Sequence, residues 1–265
     1  LLRGEKPALA VYADATDPAA TGSAVAALQA LPQVALVHDL KGPLARLQPG
    51  AQPFELRVHR RYNPEGLTAY NVVPGLMGVI LTMTLVMMTA MAMTRERERG
   101  TLENLLATPV RPVEMMVGKI LPYVMVGYVQ VLIVFAAARW LFGVPMAGSF
   151  VLLSAMVLLF IVATLTIGFT FSTIARSQMQ SMQMTLFYFL PNILLSGFMF
   201  PFRGMPRWAQ WLGEVLPLTH FLRIVRAIML KGAGAGDLWP EVAAIAAFMA
   251  AMGTIAMLRY RQTID

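Results

Sequence analysis

Five long windows in this chain contain no Asp, Glu, Lys, Arg or His: 71–94, 120–138, 150–174, 182–200 and 242–258. A bilayer core of about 30 Å is crossed by roughly 20 mainly apolar residues in a helix. The windows therefore predict an α-helical polytopic membrane protein with five visible spans. Composition agrees, because 13% of the residues are charged and 57% are hydrophobic, with mean hydropathy +0.63. Soluble domains carry about 25% charged residues, enough to cover a globule, and this chain has half that supply.

Several function classes fall away on the same count. The net charge is +7, but the basic residues are scattered through loops between apolar runs, as membrane proteins place them. A nucleic-acid partner is not expected. There is no cysteine, hence no thiolate metal site and no Cys nucleophile. His38, His59 and His220 have no ligand-like spacing, so no metal and no catalytic residue is expected. No Gly-x-x-x-x-Gly-Lys-Ser/Thr run occurs, so the chain has no phosphate cradle and no cofactor of its own.

Residues 1–68 differ from the rest and read as a small, incomplete α/β module. Ala8–Tyr12, Val34–Val37 and Phe54–Val58 are strand-like, and Pro18–Leu31 is Ala-rich and helical in character. Asp14 and Asp17 suit a turn between the first strand and the helix. Residues 69–265 form the transmembrane domain. Within it, 205–231 is amphipathic and too polar to span, predicting two short interfacial or re-entrant helices. Trp208 and Trp211 suit the headgroup level, and Arg223 and Arg226 either reach lipid phosphates or touch a substrate. Gln130, Gln183 and Asn192 are polar groups at membrane depth, placed for interhelical hydrogen bonds or for the substrate path. Ala243, Ala247 and Ala251 make a small-residue stripe on the last span, suited to close packing. Counting Lys and Arg by face gives eight against nine, which leaves the orientation open.

The segment after the first window is the most informative. Thr101 is a plausible N-cap, Glu103 lies in the first turn where the helix dipole favours an anion, and Pro109 stops the helix. Leu102, Leu105 and Leu106 then share one face over 101–108. Burying three leucines contributes roughly 5–9 kcal/mol. Ordering the backbone of so short a helix costs about 8–16 kcal/mol. Such a helix needs a groove to hold it.

Glu96-Arg-Glu-Arg-Gly-Thr-Leu-Glu-Asn-Leu105, with Thr108-Pro-Val-Arg-Pro-Val-Glu114 and Gly118-Lys119, resembles the first cytoplasmic loop of bacterial ABC-2 transporter permeases. Further matching blocks are Arg61-Tyr-Asn-Pro-Glu65, Val73-Pro-Gly-Leu76, Ser196-Gly-Phe-Met-Phe-Pro201 and Pro217-Leu-Thr-His-Phe-Leu-Arg-Ile-Val-Arg226. The similarity covers about residues 55–265 and points to the multidrug-exporter branch. It implies an ABC-2, type V exporter-like fold with six spans, both termini cytoplasmic, and a module outside the cytoplasm between spans one and two. On that pattern a first span lies upstream of Leu1, residues 1–68 are extracytoplasmic, and loop 95–119 and the C-terminus are cytoplasmic. The family docks a coupling helix into a separate ABC ATP-binding subunit, which holds ATP and Mg. Carried over, the coupling residues are Glu96, Glu98, Gly100, Thr101, Leu102, Glu103, Leu105 and Leu106. The expected setting is a bacterial inner membrane, with a second, identical or related permease subunit, the lipid bilayer, and a periplasmic adaptor as a further possible partner. The expected cargo is hydrophobic drugs or lipid-like molecules moved out of the cytoplasm or inner leaflet. Two competing readings are an ion-coupled secondary transporter, disfavoured because the windows hold no titratable group, and a non-transporting membrane scaffold.

Overall fold

The computed structural model describes residues 8–34, 54–100 and 112–261, in two compact units, Leu1–Asn71 and Val72–Asp265. In the first unit, strands β1 (Ala8–Asp14) and β2 (Glu55–Arg61) pair in parallel, from Ala8 opposite Glu55 to Asp14 opposite Arg61. Parallel pairing needs a crossover of a dozen or more residues, and helix α1 (Pro18–Val34) lies between the strands. Both early aspartates serve the turn, as their spacing suggests. Asp14 Oδ1 accepts from the Thr16 amide at 3.1 Å and from its hydroxyl at 2.8 Å. Asp17 Oδ1 accepts from the amides of Ala19 and Ala20 at 3.1 and 3.3 Å and so caps α1. Val34, expected to open a strand, instead closes α1, and residues 35–37 lie outside the described residues. The Arg61–Glu65 block makes a fixed turn. Tyr62 takes φ 69°, and the fully buried Asn63 exchanges two 2.9 Å hydrogen bonds with the backbone of Leu67.

In the second unit the chain runs through α2 (Thr68–Glu98, which begins in the first unit), α3 (Pro112–Trp140), α4 (Phe150–Ile174), α5 (Gln178–Leu195), α6 (Arg207–Val215), α7 (Pro217–Arg226) and α8 (Trp239–Arg261). A π-helical turn, Ala227–Lys231, follows α7 and closes on Gly232 in the left-handed region. Helix α4 is the centre of the packing. Val157, Phe160, Ile161 and Leu165 are fully enclosed, and Phe160 stacks on Phe221 of α7 with centroids 4.0 Å apart. Gly168 lets α4 lie against the backbone of α2, since a Cβ there would sit 2.7 Å from the Val86 carbonyl oxygen.

Among the described residues, four stretches are long and apolar enough to cross a membrane: Thr68–Glu98, Ile120–Trp140, Phe150–Ile174 and Ala235–Arg259. They coincide with four of the five sequence windows. The fifth window, 182–200, falls on α5, which is shifted toward the N-terminus and shorter. It starts at Gln178, where the Ser177 side chain accepts from the Gln180 amide. It ends at Leu195, just ahead of Gly197 at φ 82°. Residues 178–183 add three glutamines and a serine to its first turns, which lowers its apolarity. The alanine stripe also reads differently in the fold. Ile245 and Ala256 are the enclosed residues of α8, while Ala247 and Ala251 are exposed; the small residues that meet α4 are Ala256, clustered with Phe169, and Gly253, facing Thr166.

Candidate coupling site

The site builds from the last turns of α2. Its end is Thr94-Arg-Glu-Arg-Glu-Arg-Gly100, with Arg95 and Arg97 in the final helical turn, where cations meet the negative end of the helix dipole. The Gly100 amide closes on the Arg97 carbonyl at 3.2 Å and Gly100 takes φ 67°, a left-handed helix stop that costs glycine little. Thr101, Leu102, Glu103, Leu105 and Leu106 lie outside the described residues. Glu96 is partly buried, about one turn before Gly100.

Glu98 is exposed yet committed to its own chain. Its Oε1 accepts from the backbone N–H of Gln178 at 2.8 Å, and its Oε2 accepts from the Gln178 side-chain amide. Arg95 Nε donates to Gln178 Oε1 at 3.2 Å, so Gln178 is held from both sides by residues three apart on one face of α2. One turn deeper, Thr94 and Ser181 bring their hydroxyl oxygens to 2.6 Å in a fully buried contact. Thr94 gives its one hydroxyl proton to the Ala90 carbonyl at 2.8 Å, which leaves Ser181 as the donor. Arg97 Nη1 reaches the Thr173 carbonyl at 3.5 Å. The end of α2, the end of α4 and the start of α5 are thus tied at one end of the unit.

The polar residues at membrane depth divide. Gln130 accepts from the Thr84 hydroxyl at 2.8 Å and joins α3 to α2, an interhelical bond of the kind that membrane helices use. Gln183 is exposed on α5. Asn192 is completely enclosed, and neither its amide nitrogen nor its oxygen has a hydrogen-bond partner among the described residues. An unsatisfied buried polar group costs about 1–3 kcal/mol, and the buried Tyr188 hydroxyl one turn before Asn192 on α5 is likewise without a hydrogen bond among the described residues.

At the opposite end a charged cluster joins α6, α7 and α8. Arg223 grips Glu214 through both guanidinium nitrogens at 2.6 and 3.0 Å, reaches Glu241 at 3.5 Å and lies 4.7 Å over the Phe202 ring. His220 Nε2 faces the Glu214 carbonyl oxygen at 2.7 Å, and Nδ1 pairs with the Glu241 carboxylate. Both ring nitrogens therefore meet acceptors, which only the doubly protonated imidazolium satisfies. Burial alone lowers the His220 pKa, but the bonds to Glu241 and the Glu214 carbonyl outweigh it, so the net displacement is upward. Arg226 is directed at the Gly197 carbonyl at 3.3 and 3.4 Å. Arg223 and Arg226, expected at lipid phosphates or a substrate, thus bond within the chain. Glu214 and Arg223 were near enough in sequence to suggest a pair, whereas Glu241 enters only through the fold.

Helices of this apolarity with a charged, fixed end ahead of 101–111 are the layout the sequence blocks imply, and a profile of ABC-2 family transporter proteins matches residues 1–258. The chain belongs to the ABC-2 transporter family. Escherichia coli (strain K12) "Inner membrane transport permease YhhJ" is 34% identical over all of this chain and 70% of its own length. "Probable multidrug ABC transporter permease YbhR" of the same strain is 30% identical over 86% of this chain, which spans 62% of that relative. "ABC transporter G family member 20" of Dictyostelium discoideum is 27% identical over 65% of the chain. With relatives named as permeases, this ABC-2 family member is a membrane permease of an ABC transporter.

Proposed function

We propose that this permease works in a bacterial inner membrane as half of a two-permease exporter driven by a separate ABC ATP-binding subunit. The observation that carries the reading is the layout of α2: an apolar helix whose charged last turn is fixed by Gln178 and ends at Gly100, directly before Thr101. A helix over 101–108 would present Leu102, Leu105 and Leu106 to a cleft in the ATPase, with Glu96 and Glu103 at its rim. Glu98, exposed on the same turn, also accepts from Gln178 and would tie that rim to α5. Loop 95–119 and the C-terminus would be cytoplasmic, and residues 1–68 extracytoplasmic, available to an adaptor. Helix α5 would serve as a fifth visible span of six. ATP and Mg stay on the ATPase, whose closure would move α2 and α3 and open the permease pair outward.

Hydrophobic or lipid-like cargo suits a chain with 20 methionines, since flexible thioethers on a path would adapt to varied ligands. Asn192 offers the one enclosed amide on α5 to such cargo or to the second subunit. The test is co-purification from mild detergent of the full-length permease with candidate ATP-binding subunits. Leu102→Asp/Leu105→Asp is expected to remain in the membrane and to lose the ATPase at least tenfold, in line with a charge buried in an apolar cleft costing several kcal/mol. Equal retention of the ATPase by the variant would sink the docking assignment and reopen ion-coupled transport or a scaffold role.

A further inference from the structure

Resting on that permease–ATPase reading, we propose that Gln178, held between Arg95 and Glu98, is a positioning residue through which movement of α2 reaches α5. The joint has three features that a simple helix cap lacks. First, α5 takes the partner for its first backbone amide from another helix, since the Gln178 N–H donates to Glu98 at 2.8 Å across 80 positions of sequence. An N-terminal amide left without that acceptor is one of the orphan donors of a helix start, so the seating of α5 depends on where α2 ends.

Second, there are two attachments on each helix. Thr94 and Glu98 are one turn apart on α2, Gln178 and Ser181 nearly one turn apart on α5, and the deeper Thr94–Ser181 bond is shielded from water. A single contact lets two helices pivot, whereas two contacts in line fix rotation as well as distance. Third, the local turn is braced independently. The Ser177 side chain accepts from Gln180 at 3.2 Å, and the Gln180 side chain accepts in turn from the Arg176 amide at 2.8 Å. The start of α5 therefore moves as a block when α2 displaces it. Fourteen residues on, about 21 Å along a helix rising 1.5 Å per residue, that block carries Asn192 with its unpartnered amide. Displacement at the charged end is thereby delivered to the enclosed Asn192 amide and, one turn before it, the Tyr188 hydroxyl, two buried polar groups on α5 without a hydrogen-bond partner among the described residues.

These 265 residues hold no cysteine, so once any cysteine elsewhere in the full-length protein is replaced, one introduced thiol reports one position. Leu186→Cys, exposed two turns into α5, is labelled with an environment-sensitive fluorophore in the full-length permease. The complex with its ATPase is placed in nanodiscs, and emission is compared without nucleotide and after ATP with vanadate. The parent is expected to show an emission change. Glu98→Ala is expected to keep the ATPase bound and to lose most of the change. Glu98→Gln, which retains an acceptor oxygen for the Gln178 N–H, should recover it, and Arg99→Ala, in the same exposed turn, should leave it intact. A full-sized change in Glu98→Ala overturns the proposal, as does an equal loss in Glu98→Ala and Arg99→Ala, or a parent complex that turns over ATP with no change at Leu186. If the parent binds no ATPase at all, the failure is of the permease–ATPase reading itself and takes the joint with it.

Discussion

His220 faces an acceptor from each of two elements, and that arrangement makes the cluster on α6, α7 and α8 sensitive to pH. The groups facing it are Glu214 on α6, Arg223 on its own helix and Glu241 on α8. With the folded-state pKa raised above the unfolded value of about 6.5, the protonated form stabilises the fold fully below that value. The contribution is then lost as pH rises through the raised folded-state pKa. Thermal unfolding of the detergent-purified permease should therefore occur at progressively lower temperature as pH is raised from mildly acid to alkaline. Glu241→Gln should flatten that slope and lower stability by about 1–3 kcal/mol, the range for orphaning a buried charged partner; an unchanged slope in the variant would remove His220 as its source. The sequence exposes half of this cluster. Glu214, His220 and Arg223 lie within ten positions and fall together on short helices, while Glu241 is a lone acid at the head of the last helix. Only the return of α8 against α7 brings it to the imidazole. Glu98 shows the same limit: its bonds to Gln178, 80 positions away, enter only through the fold.

At the scale of elements, helix existence was legible because length and apolarity alone decide it. The ends were less so, since caps are made by single residues. Ser177 and Gly197 bracket α5 and could have been read as a start and a stop, but the apolar run continuing to Phe200 masked the stop. Packing faces were harder still. Small residues were expected to mark the contact side of α8 at Ala243, Ala247 and Ala251, whereas Ala256 is the one enclosed against Phe169, and Gly168 of α4 makes a tight backbone contact with α2. Gly168→Ala is expected to cost about 1–3 kcal/mol as an overpacked contact with the Val86 carbonyl and Thr89. Gly253→Ala on α8 has only the Thr166 methyl at 3.7 Å before it, and relief of the helical glycine should leave stability unchanged or raise it by about 0.5–1 kcal/mol. Paired unfolding curves of the two variants distinguish packing from propensity. If both destabilise alike, the α2–α4 contact is not the tight one.

For the transmembrane unit as a whole, tryptophan supplies a reference plane that charge counting could not. The chain has four tryptophans, all exposed: Trp140 at the end of α3, Trp208 and Trp211 on α6, and Trp239 at the start of α8. Chain direction and contacts put these positions at one end of the unit. The loop after α3 bonds to the π-turn, Ala147 N–H to the Met229 carbonyl at 2.8 Å, and α7 is joined to α8 through His220 and Glu241. The exposed Arg139, Arg203 and Arg207 flank the rings, an arrangement suited to phosphates just above ring level. The opposite end carries the Arg95–Glu98–Gln178 joint and none of the tryptophans. A one-sided belt makes a clear optical prediction, because the tryptophan emission of these residues comes from one depth. In vesicles containing brominated lipids, bromines near the headgroup should quench this permease more strongly than bromines near the bilayer centre. Trp211→Phe should lower the emission without changing that order. Stronger quenching from the centre would place α6 inside the hydrocarbon, and with it the charged cluster of Glu214 and Arg223, which the cost of burying charge in lipid opposes.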